Sequence, residues 1–151
     1  MRRHIGKPLR QSFEQRLRKI YGSVEPDDDA EVPDTMCVFR VDAGERVIFV
    51  SLQLHRTQDA FTVEIAWAPD DKYPAFARLG GPPDRPTDQA RFRIRQLWEG
   101  TGSDKWWEIN LPPTMPKAEL KERIEAVLNG ALERVEKEAL PFALSRATPP
   151  A

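Results

Sequence analysis

The residues best suited to chemistry fall in Arg91–Asn110, RFRIRQLWEGTGSDKWWEIN. Arg91, Arg93 and Arg95 occupy alternate positions, and Trp98, Trp106 and Trp107 follow within a few residues. On a strand, side chains two apart point the same way and lie ~6.6 Å apart. A row of guanidinium groups at that spacing can receive a row of anions, with Trp106 beside it for stacking and Lys105 adding charge. It can equally receive carboxylates from a neighbouring strand, for which Glu64, Glu99 and Glu108 are the nearest acids. Gln53, His55 and Glu64, read as sharing the polar sheet face with the arginines, complete the candidate binding surface.

Catalytic and metal-binding patterns are absent. The only histidines are His4 and His55, and the only cysteine is Cys37. No cysteine–histidine cluster could hold zinc, and no serine nucleophile motif occurs. His55 as a general base would need an orienting carboxylate and a pocket. Asp27-Asp28-Asp29 lacks the spacing, glycine and closing glutamate of a calcium loop, and Gly80-Gly81 lacks the lysine and hydroxyl of a phosphate loop. No catalytic residue, metal or cofactor is therefore expected. Cys37 sits in an apolar run, where a thiol reads as a small buried hydrophobe.

Twenty-three basic residues face twenty-four acidic ones, a net charge of −1, which gives no general attraction to nucleic acid or membrane. The charges are segregated, with a basic segment to residue 19 and an acidic one over 25–34. No apolar run approaches a membrane span, and no secretory h-region follows the first arginines. The expectation is a cytoplasmic protein with no membrane partner.

The elements that must position these residues follow from periodicity. Leu9, Phe13, Leu17 and Ile20 make one face of a helix over Lys7–Tyr21, with Pro8 in its first turn. Met36–Val41, Arg46–His55 and Phe61–Trp67 alternate with period two and are joined by short turns, a three-strand antiparallel meander. The first half of Arg46–His55 is apolar on both faces, which suits a central strand. Pro69–Gln89 carries five prolines, so no regular strand survives there; Tyr73, Phe76 and Leu79 could pin this loop to the body. Arg91–Leu97 reads as a strand, with Phe92 and Ile94 inward. Trp107 and Ile109 share a core side, and Trp106 lies opposite. From Lys117 an apolar stripe, Leu120, Ile124, Val127, Leu128, Ala131 and Val135, marks the strongest helix. Gly130 within it signals a kink or a close contact, and Leu140-Pro141-Phe142 ends or bends it. The predicted fold is α+β: a largely antiparallel sheet of about five strands with the N- and C-terminal helices on one face, a single domain over residues 1–145 and a disordered tail over 146–151.

The order helix, FRVDAGERVIFVSLQLHR, FTVEIAWA, RFRIRQL, SDKWWEI, helix, LPF resembles the bacterial domain-of-unknown-function 4304 family. The strand ending in Gln53, the RFRIRQL strand, Asp104 before Trp106-Trp107, and Leu140-Pro141-Phe142 carry the resemblance, which spans about Leu9 to Leu144. It implies a compact α+β domain and no activity. The function expected is a small non-catalytic protein-binding module of immunity or accessory type. The alternatives are nucleic-acid or anion binding through the Arg91/Arg93/Arg95 face, not favoured, and an enzyme whose site lies near His55, Glu64 and the proline-rich loop.

Overall fold

The computed structural model describes residues 1–100 and 106–148; Asp104, Lys105 and residues 149–151 lie outside the described residues. The meander is present as β2 (Met36–Asp42), β3 (Val47–Leu54) and β4 (Ala60–Trp67). Its registers include Val41↔Ile48 and Leu52↔Val63. The β2–β3 turn needs a positive φ at Gly44, +87°, and Asp42 Oδ1 accepts the Gly44 N–H at 3.1 Å. A short strand unmarked in the sequence, β1 (Val24–Pro26), pairs with β2 from within the acidic segment. Beyond β4, two short strands share one edge in tandem: β5 (Ala90–Arg93) opposite Glu64–Trp67, and β6 (Trp107–Glu108) opposite Ala60–Phe61. Among the described residues the sheet is antiparallel, six strands in the order β1-β2-β3-β4-β5 with β6 also on β4, and β3 is central.

Period-two alternation sends Phe39, Val41, Ile48, Val50, Leu52, Phe61, Val63, Ile65, Trp67 and Phe92 to one face. There they pack with Ile5, Leu9, Phe13 and Leu17 of α1 (Arg3–Ile20) and Ile124, Leu128 and Ala131 of α3 (Lys117–Arg134). Both helices therefore cover the same face. Burying one such aromatic removes ~150–250 Å² from water, at most about 4–6 kcal/mol. Helix α1 starts four residues earlier than predicted because Ile5, one turn before Leu9, joins the stripe and is buried. Pro8 consequently lies inside the helix, where its missing N–H leaves one hydrogen bond unmade.

Gly130 is exposed and a Cβ there would meet nothing within 4 Å, so it marks no close contact. Pro141 does not end the C-terminal helix. A π-helical turn, Val135–Ala139, absorbs the extra residue, and the chain continues as α4 (Leu140–Arg146). The packed chain extends past the expected boundary at residue 145. Ala147 is buried, the Thr148 N–H reaches the Thr87 carbonyl at 2.9 Å, and the buried Arg46 donates to the carbonyls of Thr148 and Ala68. Among the described residues no helix is long and apolar enough to cross a membrane.

The second sheet face is polar yet covered. Val38, Phe49 and Ala66 pack with Tyr73 and Ala75 from the Pro69–Gln89 segment and with Ala30 and Val32 from the acidic segment. All eight residues of β4 are buried as a result. The Pro69–Gln89 segment is thus a strap across the sheet. Only part of the expected pinning holds: Tyr73 is buried, Leu79 is at the surface, and Phe76 is 91% exposed.

Candidate functional site

Residues Arg91 and Arg93 leave β5 on the strap-covered face, opposite Ala66 and Glu64 respectively. The alternation stops there. The Ile94 N–H makes the last ladder bond, to Val63, and the Glu99 N–H turns back to the Arg95 carbonyl. This opens a helical turn, α2 (Gln96–Glu99), where a strand through Leu97 was expected. Arg95 sits at its N-cap. Its guanidinium pairs with Glu99 four residues on, donates to the Trp106 carbonyl and lies 5.1 Å from the Trp107 ring centre. The i,i+4 pair favours the turn over the strand, and the row of three arginines becomes two.

The first centre is a latch. Glu64 is 1% exposed, and its Oε1 accepts from Arg91 Nε at 2.7 Å and from the Tyr73 hydroxyl at 2.5 Å. Arg91 also donates to the Ala77 carbonyl at 3.1 Å, so sheet and strap close on one carboxylate. Burial, and then the charge of Glu64, raises the Tyr73 hydroxyl well above its ordinary value and keeps it a donor. Burial alone would lower the Arg91 guanidinium; the bond to Glu64 outweighs it and the net direction is up. Glu64 Oε2 and the hydroxyl of Ser51, its cross-strand neighbour, are buried without hydrogen-bond partners among the described residues. None of four grooves that indent the surface is lined by Glu64 or Ser51. Covered by the strap and held by a cation, Glu64 is placed to fasten a loop, not to move a proton.

The second centre is aromatic. Trp106 is half-buried, with the Arg93 guanidinium 5.1 Å from its ring centre and the His55 ring edge-on at 4.8 Å. His55 Nδ1 accepts the N–H groups of Thr57, at 3.2 Å, and Gln58, at 3.0 Å. Its lone pair is thus occupied in shaping the β3–β4 turn, which fixes the tautomer with the proton on Nε2 and removes the nitrogen a general base would use. Gln53 is half-buried on the same face, opposite Thr62 and Met36. Trp107 stacks on Phe61, 5.6 Å and 12°, and meets Trp98, which lies under Arg134.

The expected surface therefore divides. Glu64 joins Arg91, and Arg93 joins Trp106 and His55. Arg95 turns away, and Gln53 stands between the two groups. The expected acids Glu64 and Glu99 do take arginines, Arg91 and Arg95. Tyr73 and Ser51 were not foreseen as parts of this cluster. Ser51 alternates with Gln53 and was readable on that face, whereas Tyr73 arrives from a loop whose docking leaves no periodic trace. Cys37 is half-buried against the core, and burial raises its thiol, as suits an inert side chain. No group of three or more His, Cys, Asp or Glu side chains among the described residues could hold a metal ion. No family model, no curated protein and no solved structure matches the chain.

Proposed function

We propose that this chain is a small bacterial, cytoplasmic, non-catalytic protein-binding module of immunity or accessory type, engaging its partner through the strap at Phe76. One observation carries the reading: Phe76 is 91% exposed while Tyr73, three residues earlier, is buried and bonded to Glu64. A large aromatic side chain held out from an anchored segment costs little ordering on binding and is of the kind that dominates interfaces. The alternative, anion recognition by the arginine row, loses support because Arg91 and Arg95 are held by Glu64 and Glu99. Membership of the domain-of-unknown-function 4304 family belongs to the same proposal. It is supported by the helix, meander, strand and helix order and adds no activity.

The test is affinity capture from the native cell with wild-type and Phe76→Ser baits. The wild type should recover a specific partner, and the variant, equally folded, should bind it roughly 30-fold more weakly, as for a hot spot worth about 2 kcal/mol. Recovery of no specific partner, or equal recovery by the variant, would refute the reading.

A further inference from the structure

A cationic groove lies beside α1, apart from the latch. Lys7 and Arg10 are three residues apart on α1 and so share a side. Arg56, from the β3–β4 turn, lines the same groove, where α1 crosses β3 closely at Gly6 and an added Cβ would stand 3.3 Å from Leu54 Cδ1. The three cations line a groove of about 660 Å³ in which Asp34 is the only lining carboxylate among the described residues. Arg2, at its end, is already paired with Asp59. Lys7, Arg10 and Arg56 have no ion pair among the described residues. Arg10 donates to the Asp34 carbonyl at 2.6 Å, and its Nε is buried without a hydrogen-bond partner.

Three unpaired side-chain cations against one carboxylate, with the Met1 ammonium held by the His55 and Arg56 carbonyls, suit a compact dianion, and a phosphate monoester carries about −1.5 to −2 at neutral pH. The guanidinium fork matches phosphate oxygens, and lysine adds a point charge. The groove volume is that of a small-molecule site. We propose that this groove binds a phosphate monoester, its phosphoryl group seated among Lys7, Arg10 and Arg56. The group can come from a soluble phosphorylated small molecule or from the 5′ end of an oligonucleotide. No residue of the strap lines the groove, so the inference stands apart from the protein-binding reading, and Phe76→Ser should leave it unchanged.

The experiment is calorimetric titration of the full chain, at low and at physiological salt, with adenosine 5′-monophosphate, adenosine, and a ten-nucleotide DNA with and without a 5′-phosphate. One molecule of the monophosphate should bind per chain, with adenosine at least tenfold weaker. Lys7→Met and Arg56→Met alter exposed side chains and keep the fold; each should weaken monophosphate binding about tenfold. Binding of the monophosphate but not of either oligonucleotide assigns the source to small molecules. Binding of the phosphorylated oligonucleotide alone among the two assigns it to a strand end. Equal binding of both oligonucleotides reveals a general polyanion surface and overturns the proposal. So does equal or absent binding of monophosphate and adenosine, or unchanged affinity in both variants.

Discussion

Replacing Arg91 by methionine tests the latch most directly. The substitution keeps a long apolar stem but leaves the Glu64 carboxylate, 1% exposed, with only the Tyr73 hydroxyl as donor. Removing one partner of a buried pair costs about 3–5 kcal/mol, because the remaining charge has lost its compensation. At ~2 kcal/mol per molar urea the unfolding midpoint should fall by about 2 M, and the melting temperature by roughly 10 °C. Adding Glu64→Leu should restore most of the loss, leaving about 1–2 kcal/mol for the missing Ala77 and Tyr73 contacts. Urea titrations of the four proteins of the cycle decide the matter. A single-variant cost under about 1 kcal/mol, or a double variant no more stable than the single, would refute the reasoning.

Three further outcomes are expected. Gly130→Ala, at an exposed helix position with room for the methyl group, should stabilise by about 1 kcal/mol, seen as a 2–4 °C rise in melting temperature. Burial alone would raise the Asp59 carboxyl, but the hydrogen bonds from Arg2 hold it below the usual carboxylate range. Asp59→Asn should accordingly cost about 1 kcal/mol above pH ~4, discounted for Arg2's exposure, and the difference should vanish in urea titrations as pH falls through the depressed folded value. Arg46→Met removes the side-chain donor to the Thr148 carbonyl and leaves the Ala68 carbonyl with the Asp71 N–H; a loss of about 1–3 kcal/mol should appear, with faster amide exchange at Ala147 and Thr148.

The meander was legible because β4 alternates cleanly between Phe, Val, Ile or Trp and smaller or polar residues, β3 does so in its second half, and short turns join β2, β3 and β4. The same rule misled at Arg95. Periodicity carries no mark of where a strand stops; β5 ends at Arg93, and the local pairing of Arg95 with Glu99 favours a helical turn beyond it. The α1 stripe is readable from Leu9, but Pro8, a residue that favours a first turn, hides the turn that precedes it. Least legible was the covering of the second sheet face. Tyr73 docks across a proline-rich segment by side-chain chemistry alone, and Phe76, of similar type and three residues on, points outward. Nothing in their local sequence separates the two roles; only the position of Glu64 beneath Tyr73 does.

The two ends of the sheet bear on how molecules of this protein meet at high concentration. At one margin stands a three-residue strand ending in Pro26, which cannot donate to an incoming ladder. At the other, β5 and β6 offer four and two residues with a helical turn between them. Fibrils grow where a long, flat, unpaired backbone templates another chain, and neither margin supplies one. The same interruption that dispersed the arginine row also leaves this hydrophobic meander without an edge on which a second copy could extend the sheet.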